Sequence, residues 1–151
     1  MNMNKQIEIG HMKKQCVVLL FVLCLAILEE TKAVELEKWH IHVVNGLSNG
    51  QILLAHCKSK DNDLGERRLI AGTEFNWRFR VNFWNTTLFW CYLQKPNGQH
   101  SSFESFWIES RSVWLYTMCF EKNCIWTAKD DGIYLKDNFD THKDILIHKW
   151  E

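Results

Sequence analysis

The chain has 151 residues, 18 basic and 18 acidic side chains, 46% hydrophobic residues and a formal net charge of zero. That balance leaves no basic stripe for nucleic acid and no charge asymmetry suited to an anionic membrane. The length fits a single domain preceded by a leader.

The leader comes first. Lys13 and Lys14 precede the apolar run from Cys16 to Leu28, and Thr31-Lys32-Ala33 ends in a small residue. A positive start, an apolar centre and a small-residue exit predict a secretory signal peptide over residues 1–33. The run falls short of the ~20 apolar residues that span a bilayer, so cleavage is expected rather than a retained anchor. Met1 and Met12 both serve as possible starts. The mature domain is then Val34 to Glu151. Four of the basic and three of the acidic residues lie in the leader, which leaves this domain with a net charge of −1. All eight tryptophans fall in it, with one proline, Pro96. Such aromatic enrichment favours strands.

Trp39 to Val44 alternates, with Trp39, Ile41 and Val43 on one face. The turn dipeptides Asn45-Gly46 and Asn49-Gly50 follow, then a strand over Gln51–Cys57. Lys58 to Arg68 is polar throughout and reads as a long exposed loop. Glu74 to Phe83 gives the clearest signal. Phe75, Trp77, Phe79, Val81 and Phe83 alternate with polar residues, the pattern of a half-buried antiparallel strand. Thr87 to Lys95 is apolar on both faces, as in a central strand, and Pro96-Asn97-Gly98 is a turn. Phe103–Ile108, Val113–Phe120 and Cys124–Ala128 read as strands. Asp130-Asp131-Gly132 turns into Ile133-Tyr134-Leu135, and Ile145–Trp150 closes the sheet. No segment carries helical period with caps. About eight short, evenly spaced strands predict an all-β antiparallel sandwich.

Cys16 and Cys24 belong to the leader. Cys57, Cys91, Cys119 and Cys124 remain, and in a secreted chain four cysteines imply two disulfides with three possible connectivities. Cys57–Cys124 with Cys91–Cys119 is the favoured pairing, since Cys119–Cys124 closes only a small hairpin.

In order along the chain stand His42-Val43-Val44-Asn45, the run from His56-Cys57 to Leu64-Gly65, Phe75 to Phe83, and Asn85 to Cys91. Cys124-Ile125-Trp126 and Asp131 to Leu135 complete the set. This ordered set, spanning nearly all of Val34–Trp150, resembles the plant S-protein homologues, the family of the stigmatic self-incompatibility proteins of poppy. The resemblance implies a small secreted sandwich with two disulfides and no enzymatic activity. It implies a receptor on a cell surface as partner, as in the rejection of self pollen. The chain departs from the family pattern at Arg111–Phe120, where Val113-Trp114-Leu115-Tyr116 precedes Cys119.

The expected binding residues are Lys58, Lys60, Asp61, Asp63, Glu66, Arg67 and Arg68, charged positions on a loop held by a rigid sandwich. A solvated loop is the plain alternative, and Gly65 in it suits a positive φ. The loop from Pro96 to Ser101 is a second contact region. Asn85-Thr86-Thr87 is the one acceptor sequon for an N-linked glycan, unless Asn85 merely serves the turn. His40 and His42 share a strand face but lack the further ligands that zinc needs, so neither metal nor cofactor is expected. Arg78 and Arg80 read as a solvated sheet face. Glu104, Glu109, Asp130 and Asp131 do not make a catalytic pair, and no hydrolase or metalloprotease motif occurs. The expected protein is a monomeric, non-catalytic extracellular ligand that binds no nucleic acid. An extracellular carbohydrate-binding or defence-related sandwich is the alternative.

Overall fold

The computed structural model describes residues 13–24 and 38–151. Residues 13–24 form a helix, α1, in which Cys16 and Cys24 are free thiols. Among the described residues no helix is long and apolar enough to cross a membrane. The expected leader exit at Thr31–Ala33 lies outside the described residues.

Residues 38–151 hold nine strands: β1 (Lys38–Asn45), β2 (Leu53–Ser59), β3 (Asp63–Leu69), β4 (Glu74–Arg80), β5 (Phe89–Gln94), β6 (His100–Phe106), β7 (Asn123–Lys129), β8 (Gly132–Lys136) and β9 (Asp144–Lys149). They form a five-stranded sheet, β4-β1-β7-β8-β9, and a four-stranded sheet, β3-β2-β5-β6. All neighbours are antiparallel except β1 and β7, which run parallel with Ile41 opposite Cys124 and Val43 opposite Trp126. The all-β sandwich expected from the strand spacing is the fold observed.

Period-two patterning explains the core. Trp39, Ile41 and Val43 of β1 and Cys124, Trp126 and Ala128 of β7 face Leu53, Ala55 and Cys57 of β2 and Cys91 and Leu93 of β5. Burying each large apolar side chain is worth ~1.5–3 kcal/mol before the entropy of ordering it. Trp126 also ties the sheets together directly, since its indole N–H donates to the Ser105 carbonyl oxygen at 3.0 Å.

Strand alternation sorts the connections to two ends. At one end lie residues 46–52, 70–73, 95–99 and 130–131. At the other lie the turn 60–62 and the longer segments 81–88, 107–122 and 137–143.

The structure corrects four expectations. Half of the expected loop Lys58–Arg68 is β3, paired to β2 from Asp63 to Leu69. The expected strand Val113–Phe120 instead contains a short helix, α2 (Trp114–Met118), which buries Leu115 and Met118. Phe83 leaves the apolar face of its strand and is 83% exposed, because β4 ends at Arg80. The disulfides are Cys57–Cys91 and Cys119–Cys124, not the favoured pairing. Cys57 and Cys91 are register partners on adjacent strands β2 and β5. Cys119 and Cys124 flank the single turn between α2 and β7.

Candidate recognition surface

Every second residue of the four-stranded sheet points away from the core, and the register lines these residues into rows. Arg68, Leu54, Gln94 and His100 make one row, and Glu66, His56, Tyr92 and Ser102 the next. Asp63, Lys58, Trp90 and Glu104 make the third. The sheet thus gathers Lys58, Asp63, Glu66 and Arg68 on one outer face, all of them exposed. Lys60 and Asp61 stand in the β2–β3 turn, closed by the Ser59 N–H donating to the Asn62 carbonyl oxygen at 2.8 Å. Arg67 is separated from the others. It lies opposite Ala55 on the core-facing side of the edge strand, and its guanidinium covers the Phe75 ring at 5.4 Å.

Asp63 is engaged by the fold. Its Oδ1 accepts the Gly65 N–H at 2.8 Å and the His56 Nε2–H at 2.7 Å. The Gly65 bond first, and then His56, hold this carboxyl below the usual aspartate value. Between Lys58 and His56 the β3 ladder is broken by a bulge, and Gly65 takes φ +77° there. That is the positive φ expected of it. A bulge of this kind twists the edge strand and limits edge-to-edge pairing.

Two hollows flank the rows. One, of about 560 Å³, is walled by Ile52, Leu54 and Pro96, with Arg68, Gln94 and Gly98. It brings the two loop regions expected to bind a partner to one place. The other, of about 510 Å³, is lined by Trp90 and Trp107 with Ser102, Glu104 and His148. Burial holds the His148 imidazole below its ordinary value. Trp107 lies near-parallel to Trp114 at 6.0 Å. Lys58 reaches over the Trp90 ring at 5.8 Å. The half-exposed Trp90 and Tyr92 are surface residues that the sequence reading assigned only to a central strand. Their signal was the second apolar face of Thr87–Lys95.

Elsewhere the histidines serve the sheet surface. His40 and His42 lie side by side on the outer face of the five-stranded sheet, ring centroids 3.8 Å apart. His42 Nδ1–H donates to Glu74 and His40 Nε2–H to Asn76 Oδ1, each at 3.1 Å. Among the described residues no group of three histidine, cysteine or carboxylate side chains is placed to hold a metal ion. Arg78 stands opposite His40 on that face. Glu104 accepts from Arg111 at 2.8 Å, Asp130 and Asp131 are turn residues at the β7–β8 hairpin, and Asn85 is exposed at φ 51°.

Residues 40–150 match the family model of the plant self-incompatibility protein S1. The chain is 46% identical to S-protein homolog 1 of Arabidopsis thaliana over 117 residues, 78% of this chain and 74% of that protein. It is 44% identical to S-protein homolog 74 of the same plant over the same shares. Against the self-incompatibility protein S1 of Papaver rhoeas the identity is 32%, over 62% of this chain and 65% of that one. A solved structure of an SPH (self-incompatibility protein homologue) protein superposes with a TM-score of 0.58 at 19% identity. It covers 78% of this chain and 97% of its own, and it is described as one of a widespread family of small, highly stable, secreted plant proteins.

Proposed function

Since the chain belongs to the plant self-incompatibility protein S1 family, we propose that it is a secreted, non-catalytic recognition protein that binds a receptor protein at a plant cell surface. In this reading residues 1–33 are removed on export, and the sandwich acts outside the cell as a monomer. The observation that carries the reading is the outer face of the four-stranded sheet. There the sheet sets Arg68 at the wall of a partly apolar hollow, with Glu66 and Lys58 in the two rows beyond it. A partly apolar, partly charged surface on a disulfide-tied scaffold suits a protein partner, whose hot spots are commonly an arginine or aromatic group with a dry surround. The non-catalytic part rests on what the carboxylates do. Asp63, Asp130 and Asp137 all accept backbone N–H groups and hold turns.

The test is binding of labelled mature protein to plant plasma-membrane preparations. Saturable binding is expected, weakened about tenfold by Arg68→Glu and by Lys58→Glu. Absence of saturable binding, or variants that bind as tightly as the parent, would sink it.

The hollow lined by Trp90 and Trp107 favours a second reading, an extracellular carbohydrate binder, because flat aromatic rings edged by Glu104 and Ser102 suit a sugar. A glycan array without hits would remove it. Vesicle leakage is the corresponding check for a lytic, defence-related protein.

A further inference from the structure

The two most exposed large apolar side chains among the described residues are neighbours: Phe83 at 83% and Trp84 at 78%. They do not hang on a loose loop. The Asn85 N–H donates to the Asn82 carbonyl oxygen at 3.0 Å, which closes a turn with Phe83 and Trp84 at its corners. The Asn82 side chain accepts the Thr86 N–H and donates to the Thr86 hydroxyl, both at 2.8 Å. The Asn82 N–H donates to the Thr87 hydroxyl at 2.8 Å. The two rings meet edge to face, 5.3 Å apart. Exposing two such rings on an ordered turn is unfavourable unless something covers them.

The covering group is identified by the next three residues, the acceptor sequon Asn85-Thr86-Thr87. Asn85 is exposed, and among the described residues its side-chain amide is without a hydrogen-bond partner. On its other side a hollow of about 560 Å³, bordered by Ile108, Ser110 and Val113, leaves room for a bulky group.

We propose that Asn85 carries an N-linked glycan whose first N-acetylglucosamine is seated on the Phe83–Trp84 pair, so that the modification covers the apolar turn. The C–H face of a pyranose ring is apolar and packs against an aromatic face, while its hydroxyls stay in water. The attachment is the ordinary transfer from a lipid-linked pyrophosphate sugar donor. A bond forms between Asn85 Nδ2 and C1 of the sugar. The C1–O bond to the pyrophosphate breaks, its electron pair leaving on the pyrophosphate, and Nδ2 gives up one proton. The inference is independent of which receptor the protein binds.

The experiment secretes the full chain from plant cells held at high-mannose glycans by a mannosidase inhibitor. Asn85 occupancy is mapped by mass spectrometry. Thermal unfolding is then compared for the intact glycoform, the form trimmed by endoglycosidase to one N-acetylglucosamine, and the form released by amidase. The same three forms are made from the Phe83→Ser/Trp84→Ser double variant, whose changes are at exposed positions. In the parent, trimming is expected to leave Tm unchanged and release to lower it by about 2–4 °C. In the double variant the drop on release should vanish. The new charge left by the amidase is common to both proteins, so it cancels in the comparison. An unoccupied Asn85 would overturn the proposal. So would a drop on trimming to one sugar, or an equal drop on release in both proteins.

Discussion

Two asparagines, one at each end of the sandwich, hold connections in the same way and at different depth. Asn45 is fully buried at the end of β1. Its Nδ2 donates to the carbonyl oxygens of Gln51 and Leu69 at 2.8 Å each, and its Oδ1 accepts the Leu47 N–H at 3.0 Å. Its backbone bonds Thr73 and Gly72, so one residue gathers both the 46–52 and the 70–73 connections. Asn82, at the opposite end, is exposed and organises only its own turn. At the Asn45 end the connections are short and tied to the core. Lys95 there is buried and donates to the Asp130 carbonyl oxygen, and the Ser48 N–H donates to Asp130 Oδ1. At the Asn82 end three of the four connections are longer, and they carry the exposed rings of Phe83, Trp84, Phe120 and Phe139. One end is fixed by buried polar bonds. The other depends on the disulfides and on turns closed by their own side chains, such as those of Asn82 and Asp137.

The largest effect should come from the disulfide nearer the sheet centre. Cys57–Cys91 closes a 34-residue separation and Cys119–Cys124 one of 5. Chain-entropy reasoning gives about 3.8 kcal/mol for the first and about 2 kcal/mol for the second. Denaturant unfolding of Cys57→Ala/Cys91→Ala and Cys119→Ala/Cys124→Ala measures both. Equal losses would show that loop length does not govern them. Between these falls Asn45→Ala, which strands the buried Leu69 carbonyl and Leu47 N–H and the part-buried Gln51 carbonyl. A loss of about 3 kcal/mol is expected, with a fall in Tm of roughly 10 °C or more. A loss below about 1 kcal/mol would mean that water enters and replaces the amide.

Acid should act most strongly on the long-loop end. Asp137 accepts the N–H groups of Phe139, Asp140 and Thr141 and the Thr141 hydroxyl, which holds its carboxyl down at about 2. A depressed value means that the folded state gains above the ordinary value of 3.8 and loses that gain as pH falls towards about 2. Hydrogen exchange at 139–141 should therefore quicken, relative to the chemical rate, between about pH 4 and pH 2. The Asp137→Asn variant should lack that step. Asp130 is lowered too, chiefly by the Ser48 N–H, so its turn should respond in the same direction. A larger loosening at 48–49 than at 139–141 would reverse the contrast between the ends.

The contrast also explains what the sequence disclosed. Strands facing the core on one side and water on the other, such as β1 and β4, were legible because burial imposes period two. β3 was hidden. Its bulge at Gly65 breaks the alternation, only Leu69 is fully buried, and four of the other six residues are charged and exposed. Helix α2 was hidden because Val113 to Tyr116 is apolar at every position, which suits strand and helix alike. Burial settles it, with Leu115 and Met118 inward at helical spacing. The cysteine pairing depends on which strands become neighbours, a non-local fact. In the candidate surface, the charged residues were visible from composition. The grouping of Arg68 with Pro96, and the outward face of Trp90, required the register of β2 on β5.

The smallest change tests the comparison most directly. Asn82→Ala removes two side-chain hydrogen bonds, much as Asn45→Ala removes three. The groups left behind at Asn82 face solvent, so water can replace the lost partner and the full desolvation penalty does not apply. About 0.5–1 kcal/mol is expected, measured on protein without a glycan so that the turn alone is read. The effect should be local, with faster exchange over 85–87 and unchanged protection in β1 and β7. If Asn82→Ala instead costs as much as Asn45→Ala, the 81–88 turn is part of the cooperative unit, and the long-loop end is as firmly built as the short one.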